Sequence, residues 1–237
     1  MRSRLVHRED LTDTEREAMY GLLAGSFEGL TRERFAADLA EKTWALLLED
    51  EEGLRGFSTL LLYESSPPGE GISTVVYSGD TIVDPAAWGS AALPRCWIAA
   101  VRRLREEHPK GRLWWLLLTS GFRTYRFLPV FWKDFWPRWD TPTTPEAQAR
   151  LDFLAGEKLG RLYIKEGGIV RFPQPQRLRG ELATVPEGRL ADPHVAFFLE
   201  KNPGWREGDE LACLTEIAEE NLTAAGRRMW RAGARIA

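Results

Sequence analysis

Two hydrophobic periods alternate along the chain. From Arg4 to Arg8 a short run containing Leu5 and Val6 predicts a first strand, and Thr12 or Thr14 then caps a helix that carries Met19, Leu22 and Leu23 on one face. Gly25 and Gly29 break that helix. Thr31 opens a second one, reaching about Glu41, with Phe35 and Leu39 four residues apart. The pattern then changes to apolar strands, Trp44 to Leu48 and Leu54 to Tyr63, joined by the acidic turn Glu49-Asp50-Glu51-Glu52-Gly53. Such a turn predicts a hairpin in which Gly53 is free to take a positive φ. Ser65-Ser66-Pro67-Pro68-Gly69-Glu70-Gly71 cannot hold regular structure and leads into the β-branched, aromatic run from Ile72 to Val83, a central strand.

Asp84-Pro85 stops that strand, and Gly89-Ser90-Ala91 opens an Ala-rich helix that runs to about His108. Its Trp97, Val101 and Leu104 face the core, with Arg102, Arg103 and Arg105 outside and Arg95 near its start. Pro94 requires this helix to start late or to distort its first turn. After Pro109-Lys110-Gly111, the continuous apolar run Leu113 to Leu118 suits a strand buried on both faces. Leu128, Phe131, Trp132, Phe135, Trp136 and Trp139 then recur at helical spacing and predict one helix with an aromatic stripe, either core or the wall of a ligand channel. The remainder reads as a helix from Pro145 to Lys158, a hairpin about Gly167-Gly168, a helix from Pro193 to Lys201, a strand from Glu210 to Ile217 and a closing helix near Thr223 to Arg231. The expected division is a core at 1–139 and a C-terminal extension or lid at 140–237.

Composition narrows the function classes. With 237 residues, 43% hydrophobic and 28% charged, the chain folds as one large domain or one domain with an appendage. A net charge of -3 argues against a general nucleic-acid binder. Cys96 and Cys213 are far apart, lack metal-ligand spacing and read as buried thiols of a reducing compartment. No metal constellation is recognisable. The opening Met-Arg-Ser-Arg-Leu-Val-His has no apolar leader core, and no run reaches the roughly 18 apolar residues of a membrane span, so the expected location is the cytoplasm. The 10 tryptophans imply a heavily aromatic core or an apolar ligand surface.

The strand that ends in a small-residue turn and feeds a helix is the centre of the chemistry. The first turn of a helix leaves backbone N–H groups without partners at the positive end of the macrodipole, so a pyrophosphate can dock there. Strand, two helices, three strands, helix and strand, in that order over about residues 1–136, resemble the GCN5-related N-acetyltransferases (GNAT superfamily). In that family the loop is written Gln/Arg-x-x-Gly-x-Gly/Ala, and Ala86-Ala87-Trp88-Gly89-Ser90-Ala91 matches its glycine and final small residue, with Ala86 in place of Gln or Arg. The usual two-strand ending of the family is not recognisable here.

The resemblance implies an α/β fold with a GNAT-like mixed central sheet flanked by helices, here with an elaborated C-terminal region. It further implies acetyl-CoA or a longer acyl-CoA as co-substrate, with Ile82, Val83, Trp88, Gly89, Ser90 and Ala91 at its loop, and a small-molecule or peptide amine as acceptor. The acyl arm is expected between two splayed strands, beside Tyr77 to Asp80, and the turn at Phe27-Glu28 is expected to close over the acceptor. Tyr125 takes the place of the tyrosine that protonates the departing thiolate, or is structural. Asp80 on the central strand and Glu64 on its neighbour are the candidate bases, Asp80 serving equally well as a turn or bulge partner beside Gly79. The reading is an acyl-CoA-dependent N-acyltransferase. The alternative is a non-catalytic, acetyltransferase-like protein that binds acyl-CoA or a partner.

Overall fold

Thr12 caps the first helix, as its spacing predicts. Its hydroxyl accepts from the Glu15 N–H at 3.2 Å while the Glu15 carboxylate accepts from the Thr12 N–H at 2.8 Å, a reciprocal capping box. The computed structural model describes residues 1–87 and 91–232. In chain order β1 (Arg2–His7), α1 (Asp13–Ser26), β2 (Phe27–Glu28), α2 (Arg32–Ala40), β3 (Trp44–Asp50) and β4 (Gly53–Ser65) lead to β5 (Ser73–Val83). The predicted acidic hairpin joins β3 to β4, and Gly53 takes φ 121°. Then follow α3 (Ala92–Glu107), β6 (Leu113–Thr119), α4 (Phe122–Tyr125), α5 (Phe127–Phe131) and β7 (Phe135–Trp136). The C-terminal part contributes α6 (Pro145–Leu159), β8 (Tyr163–Ile164), β9 (Ile169–Val170), β10 (Arg177–Leu178), α7 (Glu187–Leu190), α8 (Pro193–Lys201), β11 (Glu210–Glu216) and α9 (Ala224–Ala232). Pro94 falls in the first turn of α3, where its missing N–H costs nothing, because the helix starts at Ala92.

The sheet is mixed, in the order β1-β3-β4-β5-β6-β11-β9-β8, with β5 and β6 its parallel pair and β7 also on β11. The division expected at residue 139 therefore falls inside one sheet: β11 pairs with β6 from Leu211↔Thr119 to Glu216↔Trp114. One face of the sheet packs on α3, with Trp97, Val101 and Leu104 of that helix in the same cluster as Trp115 and Trp132. The opposite face is covered by α6 around Leu151 and Leu154, and by α1 and α2 around Met19, Leu23, Phe35 and Leu39. Among the described residues no helix is long and apolar enough to cross a membrane.

The single aromatic helix expected over 128–139 is not formed. α5 ends at Phe131, and the chain turns extended so that Phe135 and Trp136 pair with Thr215 and Leu214. Pro129 is tolerated in the first turn of α5, whereas Pro137 disfavours a helical conformation at Trp136, and the bridge from Trp132 to Leu222 and the pairing with β11 hold the stretch before it extended. The freed backbone is satisfied elsewhere, Lys133 N–H donating to the Asn221 carbonyl at 2.8 Å and Thr223 N–H to that of Phe131 at 3.0 Å. The stripe is thereby divided. Trp132 is 1% exposed and lies against Trp97 and Trp115, with ring centroids 5.8 and 5.0 Å away, whereas Trp139 is 49% exposed. Trp132→Ala is expected to cost about 3–5 kcal/mol of stability, and Trp139→Ala no more than about 0.5 kcal/mol, in chemical denaturation. Equal costs for the two would reject this division.

Candidate functional site

The site begins at a bulge. Ser58 pairs with Thr81 and Leu60 with Ser78, so two residues of β5, Gly79 and Asp80, stand opposite the single Thr59 of β4. At the same point β5 leaves β6: their parallel pairing stops at Ser78↔Leu117, while β5 continues to Val83 with β4 alone on one side. The Trp115 indole N–H donates to the Ser78 hydroxyl at 2.9 Å and ties the two strands at the last pair. Beyond it, one backbone edge of β5 faces a gap. A cavity opens on each side of that gap, and Ser78, Thr81, Ile82 and Leu117 line both.

The first cavity, about 320 Å³, lies beneath α2 and the C-terminal segment. Asp38 and Glu41, at the end of α2, join Asp80 of β5 and Glu210 of β11 in its wall, with Arg34 and Arg123 as balancing cations, Arg123 lining the second cavity as well. β10 pairs with β2 and brings Phe172, Gln176 and Leu178 over the opening, beside Phe27. Lys42 is buried, 3% exposed, and donates to Asp38 Oδ1 at 2.7 Å, while Asp38 Oδ2 is buried with no hydrogen-bond partner. The lysine stem passes over Gly79: a Cβ there would run into Lys42 Cε and stand 2.7 Å from Thr59 Oγ1. A side chain at position 79 would have to push the lysine stem aside.

Two carboxyl groups in this cavity are displaced from their ordinary range. Burial pushes Asp80 up to about 7, aided by the negative charge of Asp38 and opposed by Lys42. Burial also pushes Glu210 up to about 7; the Ser120 hydroxyl, donating at 2.8 Å, opposes this and Asp38 adds to it. A group titrating near neutrality is suited to taking a proton from an amine and returning it. Among the described residues no group of His, Cys, Asp and Glu side chains is arranged to hold a metal ion.

The second cavity, about 480 Å³, runs along the α3 side. Its floor is apolar and aromatic, with Leu93, Trp97, Trp115 and Phe127, and Ala87 and Pro94 lie at the loop end. Arg123, Arg126 and Arg189 stand around it, and among the described residues that line it there is no carboxylate. Apolar walls and a cationic rim fit a long ligand with an anionic end.

The structure separates the residues expected from sequence. Asp80 lines the acidic cavity, and Ile82 and Val83 line the second one. Ala91 is exposed as the N-cap of α3 and lines neither, and Trp88, Gly89 and Ser90 lie outside the described residues. Glu64 is exposed, paired with Thr74 four residues beyond the Leu60↔Ser78 pair, roughly 13 Å along the strand from the bulge. Tyr125 is fully buried, lines neither cavity, and donates its hydroxyl to the Pro137 carbonyl at 3.0 Å among Phe135, Phe197 and Phe198. Burial pushes its phenol far above the usual range. Phe27 lines the acidic cavity, whereas Glu28 is exposed beside Arg179.

Glu210, Asp38 and Lys42 were not singled out from sequence. Glu210 carries a signal, a carboxylate opening the apolar run Leu211 to Leu214, but only the pairing of β11 with β6 brings it to Ser120.

The displaced carboxyl groups have a consequence for stability. A folded-state value raised to about 7, from 3.8 for Asp and 4.5 for Glu, means the folded protein holds the proton more tightly than the unfolded chain. Their contribution is therefore greatest below the unfolded values and is lost as pH rises to about 7. Asp80→Asn is expected to be more stable than the parent by about 1–2 kcal/mol at pH near 8, and nearly equal to it at pH near 4, in denaturant titrations. A variant less stable at both values would contradict the displacement.

No family model and no curated protein matches the chain. Among solved structures, a probable N-acyltransferase of Enterococcus faecalis V583, a conserved protein of unknown function, is similar at 14% identity and TM-score 0.42, over 53% of this chain. This chain spans only 31% of that protein's length. A GNAT family N-acetyltransferase of Escherichia coli, solved in complex with CoA, is similar at 20% identity and TM-score 0.38, over 54% of this chain and 68% of its own. The ribosomal-protein-S18-alanine N-acetyltransferase of Escherichia coli is similar at 16% identity and TM-score 0.39, over 60% of this chain and 85% of its own.

Proposed function

We propose that the protein is a cytoplasmic acyl-CoA-dependent N-acyltransferase of the GCN5-related kind, acting on an amine acceptor. The observation that carries this reading is the parting of β5 from β6 between two cavities of opposite character, one acidic and one apolar with a cationic rim. The donor's pantetheine arm enters through the second cavity and its thioester lies at the gap, where N–H groups on the free edge of β5 polarise the carbonyl. The acceptor enters as an ammonium ion, drawn by Asp38, Glu41, Asp80 and Glu210.

Asp80 and Glu210 supply the proton chemistry. One of the two carboxylates takes a proton from the ammonium group, the freed nitrogen forms a bond to the carbonyl carbon, its second proton passes to the other carboxylate or to water, and the carbon–sulfur bond breaks. The departing thiolate takes a proton from the carboxyl group or from water. Tyr125 is left out of this scheme because its hydroxyl is already spent on the Pro137 carbonyl. Its ring keeps the α4–α8 packing in place.

Thiol release from acetyl-CoA, followed with a panel of mono- and diamines, tests the reading. Amine-dependent release is expected, with kcat/KM rising as pH increases through about 7, because the carboxylates must be ionised to accept the proton. Asp80→Asn and Glu210→Gln are each expected to lower kcat, the more important of the two by roughly 10²–10⁴-fold, while donor affinity measured by calorimetry changes little. Donor binding without release for every amine would favour the non-catalytic reading. No donor binding would reject both.

A further inference from the structure

The second cavity holds its cations in an unusual place. Arg123 follows β6 in α4, and burial pushes its guanidinium below the ordinary range, with the positive charge of Arg189 acting in the same direction and Glu181 opposing both. Arg189 comes from α7, far along the chain, yet lines the same cavity as Arg123 and Arg126. Arg126 is held in position by Asp192 at 2.8 Å. Like charges gathered at the rim of an apolar cavity repel one another and lose hydration, an arrangement that an anionic ligand relieves. Val83 at the end of β5, Ala87 and Pro94 also line the cavity; the sequence between β5 and α3, residues 84–91, offers alanine at 86 and no cation, the nearest being Arg95 within α3.

We propose that Arg123, Arg126 and Arg189 form a clamp for the phosphate groups of the acyl-CoA donor, with the C-terminal segment supplying a charge that the β5–α3 loop lacks. The inference rests on the acyltransferase reading for the identity of the ligand. The shared chemistry is a phosphorylated end joined to a long, largely apolar arm. Guanidinium groups suit it because each presents planar paired donors to phosphate oxygens. Arg189 is the discriminating member: it is exposed on a short helix, so replacing it leaves the packed core untouched.

Calorimetry with three donors separates the parts: acetyl-CoA, acetyl-dephospho-CoA and acetylpantetheine. In the parent protein acetyl-CoA is expected to bind at least tenfold more tightly than acetylpantetheine, with an affinity that falls as salt rises. Arg189→Ala is expected to weaken acetyl-CoA about tenfold and Arg189→Glu more, with acetylpantetheine unchanged by either, and Arg189→Lys to recover part of the loss. A loss already present with acetyl-dephospho-CoA assigns the clamp to the pyrophosphate, and a loss confined to acetyl-CoA assigns it to the 3′-phosphate; either supports the clamp. Unaltered acetyl-CoA affinity in Arg189→Glu overturns it while leaving the acyltransferase reading intact. Failure of the parent to bind any of the three donors overturns both.

Discussion

A buried lysine stem crossing a glycine sets the terms at the candidate site. Lys42 reaches Asp38 over Gly79, and Gly79 is one of the two residues by which β5 bulges against Thr59. A bulge bends its strand and increases the local twist. Here it falls at the last β5–β6 pair, so the strand that continues to Val83 leaves its parallel partner and opens a gap. The Trp115–Ser78 hydrogen bond fixes the near side of that gap. A side chain at position 79 would have to displace the lysine stem.

The same arrangement controls the charges. Lys42 occupies one oxygen of Asp38 and leaves the other buried without a hydrogen-bond partner, so Asp38 still repels charge on Asp80 and Glu210. Those two carboxyls come from strands on either side of β6, and both titrate near neutrality because burial and repulsion act together. Across the gap the lining is cationic. Carboxylates thus gather in the first cavity and arginines in the second, with Arg123 in the wall of both.

The C-terminal part is woven into this site. β11 extends the sheet beyond β6 and carries Glu210, β10 pairs with the turn after α1 and roofs the acidic cavity, and α7 brings Arg189 to the other. Tryptophans hold the layers together behind the gap. Trp97 and Trp115 have ring centroids 4.0 Å apart and line the second cavity, and Trp132 backs them from within the core. Much of the aromatic content is therefore a support for the cavity wall, and the part of the 128–139 stripe nearest to it lies in the second layer.

Local sequence determined most of the elements. The Thr12 and Thr31 caps, the acidic hairpin, the β-branched central strand, the apolar run at 113–118 and the strand beginning at Glu210 each depend on neighbours a few residues away, and each is present. The mixed sheet was implied by the resemblance and not by local sequence, and a bulge beside Gly79 was one of two alternatives for Asp80. Periodicity misled where a constraint outside the pattern prevailed, as when pairing with β11, together with Pro137, divided a stripe that had the spacing of a helix. Only the tertiary structure decided which side chains meet. Glu210 and Asp80 are 130 positions apart and Arg189 and Arg123 are 66 apart, and each pair is joined through sheet register and loop packing that no local window contains. Burial and mutual repulsion, which make those groups chemically useful, are properties of the assembled neighbourhood and not of the residues themselves.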